Sequence, residues 1–149
     1  MAVTGKVYTN AIKGFCMGTY SWKASGGSTI KCMLVKNTHT PNQDTHDFID
    51  DVSDDECAAS GSYSAGGLAV TPIDPAVDTA TNITKFDCVD LQVTTFTGTV
   101  RYLVFYYASG TAGTSNLICY ADLGEDVTIT NGTYDIVIDS AGLFKITVS

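Results

Sequence analysis

The residues best suited to chemistry crowd into one stretch. "NQDTHDFIDDVSDDEC", residues 42–57, holds Asp44, Asp47, Asp50, Asp51, Asp54, Asp55 and Glu56, with His46 among them. The whole chain has sixteen acidic residues, so nearly half of them lie here. Four roles fit such a stretch: a cation cage, a catalytic carboxylate pair, a docking surface or a solvated turn. An EF-hand loop starting at Asp44 needs oxygen ligands at its third and fifth positions and Gly at the sixth. Those positions are His46, Phe48 and Ile49, so the loop fails. A looser calcium cluster from Asp50, Asp51, Asp54 and Asp55 stays open, because hard cations accept many carboxylate arrangements. His46 beside Asp47 looks like part of an acid–base pair, but adjacent helical residues do not face each other. His39 and His46 are the only histidines and stand seven apart, so no H-E-x-x-H zinc site exists. The favoured reading is a short turn that displays negative charge to solvent or a partner, with no metal or cofactor.

"SYSAG", Ser62 to Gly66, comes within one residue of the nucleophile elbow G-x-S-x-G, with Ser62 where the first Gly belongs. The elbow needs a strand before it, a helix after it, and an acid and a His following the Ser. Both histidines precede Ser64, and "GGLAVTP" reads as turn and strand. A small hydrolase is therefore the least favoured reading, and the glycines are expected to supply positive φ in a turn. A glycosidase-type carboxylate pair needs only two acids brought together by the fold, and no pair can be nominated.

Charge is distributed unevenly. The net charge is −8. Residues 1–43 carry Lys6, Lys13, Lys23, Lys31 and Lys36 and no acid, a charge of +5. Residues 44–56 carry −7, and the remainder −6. An acidic chain without a basic patch is not expected to bind nucleic acid. Two readings of the asymmetry stand: the fold pairs the two segments, or they form opposite-signed surfaces for association. On the second reading the partner-facing residues are Lys6, Lys13, Asp44, Asp47, Asp50, Asp51, Asp54 and Asp55.

The five cysteines, Cys16, Cys32, Cys57, Cys88 and Cys119, are odd in number and lack C-x-x-C spacing. That argues against a zinc knuckle and a disulfide framework. Most sit in apolar runs such as "IKCML", where Cys behaves as a small buried hydrophobe. Synthesis in a reducing cytoplasm is expected. No apolar run resembles a signal peptide or approaches membrane-spanning length, so no membrane partner is expected.

The elements that must position these groups are mostly strands. Charged residues are only 16% of the chain, with Thr, Ser and Gly abundant. Tyr8, Ala11, Ile12, Phe15 and Cys16 fall on one helical face, with Gly18 as a stop. "STIKCMLVK" predicts a strand with Ile30, Cys32 and Leu34 inward and Lys31, Met33 and Val35 outward. Asp44 is expected to N-cap a single turn with Phe48 and Val52 on its inner face, and Ser53 with Glu56 fits a capping box. "LAVTP" predicts a short strand ended by Pro72. Further strands are expected around Ile83–Cys88, over Val100–Tyr107, and through "NLICYADLG" and "GLFKITVS". The Asn131-Gly132 pair predicts a hairpin turn flanked by 128–130 and 133–138. The expectation is one domain over residues 1–149: mainly β, an antiparallel sandwich of jelly-roll-like type with one N-terminal α-helix.

The blocks "YTNAIKGF", "TPNQDTHDFIDDV" with "DEC", "GSYSAGG", "RYLVFYYASGTAGTSNLICYADLG" and "NGTYDIVIDSAGLFKITV" follow one another along the chain. In that order they resemble a family of small virion proteins of tailed bacteriophages encoded among head-assembly proteins. Relatives share Y-T-P, D-x-H-x-F-x-D-D, G-Y-x-A-G-G, A-R-Y and near-terminal N-G-T-F blocks. Tyr63, Arg101, Asn131 and Gly132 match them here. The resemblance spans nearly the whole chain and implies a non-enzymatic structural role, foremost a capsid decoration or cement protein. It further implies the major capsid protein as partner, a homotrimer or other homo-oligomer, and location on the capsid surface of the virion. A tail or fibre component touching the host surface is the alternative.

Overall fold

A computed structural model describes residues 3–149. The chain folds as two antiparallel sheets packed face to face, with one α-helix near the N-terminus among the described residues. The elements are β1 (Thr4–Val7), α1 (Thr9–Cys16), β2 (Ile30–Val35), β3 (Leu68–Val70), β4 (Pro72–Asp78), β5 (Ile83–Cys88), β6 (Leu91–Tyr107), β7 (Leu117–Ile136) and β8 (Phe144–Thr147). The larger sheet runs β1-β7-β6-β2-β3, and the smaller β4-β5-β8. An antiparallel sandwich with an N-terminal helix is what the strand spacing predicts.

The larger sheet is covered on both faces. Ile30, Cys32 and Leu34 of β2 face the core between the sheets, against Phe86, Cys88 and Phe144 of the smaller one. Phe86 and Phe144 stack there at 4.5 Å, and Trp22 meets Phe144 edge-on at 5.5 Å. The alternate residues Met33 and Val35 were expected to point outward. Both are buried in a second core with Val104, Tyr106 and Leu117. Tyr8, Ala11, Ile49 and Val52 cover that face. The correction follows from "IKCMLV", a nearly continuous apolar run and so the pattern of a strand buried on both sides. Each large aliphatic side chain so buried contributes about 2 kcal/mol.

The helix lies where expected, but it is rotated. Tyr8, Ala11 and Gly14 are buried, whereas Ile12 and Cys16 are exposed. Gly14 sets this orientation: a Cβ there would stand 2.4 Å from the Tyr20 ring. The Tyr20 hydroxyl donates to the Ala11 carbonyl at 2.8 Å. Gly18 adopts φ +67° just beyond the helix, as a stop residue should.

Two further expectations need correction. The short strand of "LAVTP" is present as β3, but Pro72 is more than a stop: it begins β4, and Pro75 sits where the β4–β5 register shifts. Proline is tolerated at a strand's first residue and at bulges of an edge strand, and β4 is such an edge. Asn131-Gly132 is not a hairpin turn. β7 runs through it unbroken, with Phe96 opposite Gly132 and a register shift on either side. Only Asn131 takes positive φ, +46°, whereas a type I′ turn needs it at both residues. One left-handed residue makes a bulge, which bends the strand without reversing it.

Candidate functional site

Residues 38–57 form a strap across the outer face of the larger sheet. The strap is anchored by backbone first. The Ile49 N–H donates to the Ser115 carbonyl at 2.9 Å, and the Leu117 N–H to the Asp47 carbonyl at 3.0 Å. At its far end the Cys57 N–H donates to the Leu34 carbonyl at 2.8 Å. Between these anchors lie two short 3₁₀ turns, Ile49–Asp51 and Ser53–Asp55. The three-residue period changes which side chains point inward. Ile49 and Val52 are buried, and Phe48 is half-buried, so the expected Phe48–Val52 pairing gives way to Ile49–Val52.

Four of the seven acids serve the strap itself. The Asp51 carboxylate accepts the N–H groups of Asp47 (2.9 Å) and Phe48 (3.3 Å), capping the first 3₁₀ turn. Asp44 is not an N-cap; it accepts the Thr9 hydroxyl at 3.0 Å, tying the strap to α1. Asp55 accepts the Thr38 hydroxyl and lies 3.3 Å from His39 Nδ1. The Thr38 hydrogen bond, aided by His39 and Lys36 and opposed by desolvation, holds its carboxyl below the usual range. Glu56 does not cap a turn with Ser53. It accepts the Tyr63 hydroxyl at 2.7 Å and the Gly66 N–H at 2.8 Å.

Asp47, Asp50 and Asp54 make no side-chain hydrogen bond or ion pair among the described residues. Asp50 and Asp54 are exposed and Asp47 is half-buried. Of the expected partner-facing residues, Asp47, Asp50 and Asp54 are thus left without a protein partner among the described residues, whereas Asp44, Asp51 and Asp55 accept hydrogen bonds from within the chain, Asp44 and Asp51 remaining exposed as they do so. Lys6 and Lys13 are exposed on β1 and α1. Lys13 lines a cleft of 310 Å³ beside Phe48, and Lys6 lines a separate cleft of 340 Å³ with Lys145. Among the described residues no ion pair joins either lysine to the strap. No group of three or more His, Cys, Asp or Glu is arranged to hold a metal ion among the described residues.

The two histidines both belong to the strap, their ring centres 5.4 Å apart. His46 Nδ1 accepts the Asn42 N–H at 3.4 Å. His39 is 4% exposed, and its Nε2 has no partner. Burial lowers its pKa, and His46 adds to that, while the Asp55 hydrogen bond and the Asp55 and Asp51 charges oppose it. A buried histidine with a lowered pKa binds its proton less readily folded than unfolded. The stability this confers is fully present above the unfolded value of 6.5 and is lost as pH falls below it toward the folded value. Asp55 adds a second loss below 3.8, since its folded pKa is also depressed. Chemical unfolding from pH 7.5 to 5 is expected to show declining stability in the wild type and a flatter profile in His39→Gln.

Ser64 belongs to the turn after the strap. Its carbonyl accepts the Gly67 N–H, and its hydroxyl makes no hydrogen bond to either histidine. The neighbouring hydroxyls stitch this turn onto a bulge of β6. Ser62 Oγ accepts the Thr94 N–H at 2.8 Å, and Ser60 Oγ the Thr97 N–H at 3.0 Å. As expected for buried small hydrophobes, Cys32, Cys57, Cys88 and Cys119 are buried, and all five thiols are free.

The Arg101 cluster was not legible in the sequence. Arg101 Nε donates to Asp122 at 2.7 Å, and Nη1 lies 3.8 Å from Asp126. Asn37 donates to the same Asp126 carboxylate at 2.5 Å. The cluster closes an irregularity in which Val100 pairs with Val127 but Tyr102 with Asp122. The one sequence hint is Gly124 between the acids, at φ +81°.

Comparison with family models, curated proteins and solved structures gave no match to the chain.

Proposed function

We propose that the chain is a non-catalytic structural protein of a tailed-bacteriophage particle, seated on the outer capsid surface as a decoration or cement protein. The sequence resemblance supplies the particle. The single structural observation that supports the role is the strap, in which four acids serve anchoring while exposed Asp50 and Asp54 and half-buried Asp47 have no partner among the described residues. A charged display pinned by backbone hydrogen bonds at both ends orients a partner at a lower ordering cost than an unanchored loop. The major capsid protein is the proposed partner, with the chain acting as a trimer or other homo-oligomer. Surface buried across capsid subunit boundaries would stabilise the assembled shell by mass action. No helix among the described residues is long and apolar enough to cross a membrane.

Purified protein added to heads that lack it is expected to bind saturably and raise their heat resistance. The triple variant Asp47→Asn, Asp50→Asn, Asp54→Asn is expected to bind roughly tenfold more weakly at low salt, with unchanged melting temperature. Heads with and without the protein that resist heat and pressure equally would contradict the proposal.

A further inference from the structure

We propose that the free edge of β1 receives an extended, acidic strand of a partner polypeptide, which becomes the sixth strand of the larger sheet. β1 is the terminal strand of that sheet and pairs only with β7. The Tyr8 N–H donates to the Ile118 carbonyl. By the alternation of an antiparallel ladder, Lys6 and Thr4 also turn their backbone groups toward β7. Gly5 and Val7 then turn theirs to the open side. The Val7 carbonyl is taken by the Gln43 side chain. The Gly5 N–H and C=O and the Val7 N–H are left as a short pairing edge, the arrangement by which strands are added to sheets.

The surroundings specify what fits. Gly5 lies at the junction of two clefts, of 460 and 340 Å³. The first is lined mainly by apolar residues, Leu103, Phe105, Ala121, Leu123 and Leu143 among them, with Asp135 and Asp139 its only charged ones. It suits the apolar side chains on one face of an added strand. The second is bordered by Lys6 and Lys145. Neither lysine has an ion-pair partner among the described residues. In a chain of net charge −8, two of its eight basic residues therefore flank this edge. Charge complementarity selects an occupant whose other face is acidic. The fold itself does not require glycine at position 5. A Cβ there would meet only the Tyr120 carbonyl, at an ordinary 3.5 Å, and the residue's φ is not positive. A bare backbone at this point keeps the edge and the cleft mouth open. A second copy is a poorer occupant: pairing through its own β1 would set the Lys6 side chains of two copies against each other, β8 carries Lys145 itself, β3 has only three residues, and β4 is interrupted by Pro75 and a register shift.

The test titrates the ¹⁵N-labelled full chain with a peptide of about eight residues, one strand's length, alternating Val and Glu. A Val/Lys peptide serves as the counterpart. The expected result is saturable binding of the Val/Glu peptide alone, with shifts and exchange protection at the Gly5 and Val7 amides. Lys6→Glu with Lys145→Glu is expected to weaken binding at least roughly tenfold without lowering the melting temperature, because both side chains are exposed. Gly5→Val is expected to block it; if that variant fails to fold, the lysine pair alone decides. Equal binding of both peptides, shifts centred elsewhere, absence of saturation, or full binding by the lysine variant would overturn the proposal. So would protection of Gly5 that rises with protein concentration alone, which would assign the edge to a second copy.

Discussion

Gly61→Ala is expected to lower the melting temperature by roughly 12 °C, corresponding to about 4 kcal/mol in a chain of this size. Two costs combine. Gly61 sits at φ +58°, where a side chain is strained by about 1–3 kcal/mol. A Cβ there would also lie 2.1 Å from the Thr94 carbonyl oxygen and 2.5 Å from that of Thr95. These are backbone atoms of a bulge, with Thr95 itself at φ +52°, and they cannot swing aside as a flexible side chain would. To make room, the turn must lift off β6. It then loses the Ser62 N–H bond to Thr94 and the hydroxyl stitches from Ser60 and Ser62. Gly26→Ala is the control, because Gly26 has φ +66° with nothing within 4 Å of the added carbon. It should cost only the strain, about 1 kcal/mol. Thermal unfolding of both variants separates the terms. Equal shifts would mean that the close approach to β6 contributes nothing.

Tyr63 is expected to show a graded loss, about 2 kcal/mol for Tyr63→Phe and about 4–5 kcal/mol for Tyr63→Ala. Tyr63 is 1% exposed and packs edge-on against Phe96 at 5.9 Å. Its hydroxyl donates to Glu56 and accepts the Leu34 N–H at 3.0 Å. β3 pairs with β2 only as far as Cys32, so that hydroxyl completes the edge of β2 where the ladder stops. Burial and the Glu56 hydrogen bond both push the phenol pKa up, which keeps it a proton donor. Removing the oxygen leaves a buried backbone N–H without a partner. Removing the ring adds a cavity in the core. Denaturant unfolding checks both variants. A Tyr63→Phe variant as stable as wild type would show that water or Glu56 alone satisfies the strap's end.

These two residues show what was legible and what was not. The glycines of "GSYSAGG" are legible as turn residues with positive φ, and Gly61, Gly66 and Gly67 have it. That the turn presses against β6, some thirty positions later, is not legible, because that contact belongs to tertiary structure. β5 was read at its true bounds because Asn82 and the polar residues around it break the pattern. β4 was missed because two prolines in seven residues mask an edge strand. In the acidic stretch, the failure of metal-loop spacing was visible at once. The division of labour among its acids was not, since Asp51, Asp55 and Glu56 find partners at distances from three to seventeen residues. The 3₁₀ period, which exchanges Phe48 for Ile49 on the buried side, also escapes a reading based on 3.6 residues per turn.

The acids of residues 42–57 therefore do two jobs at once. Asp44, Asp51, Asp55 and Glu56 fix the strap's own turns and its ties to neighbouring segments, and Asp50 and Asp54, with half-buried Asp47, are left without a partner among the described residues. The proposal that this charge faces a capsid is tested most directly by an electron-microscopy reconstruction of the particle that carries the protein. The expected map shows copies on the outer shell, spanning boundaries between major capsid subunits, with the strap turned toward a basic surface. Density only at the tail, strap acids facing open solvent in every copy, or absence of the protein from purified heads would contradict it.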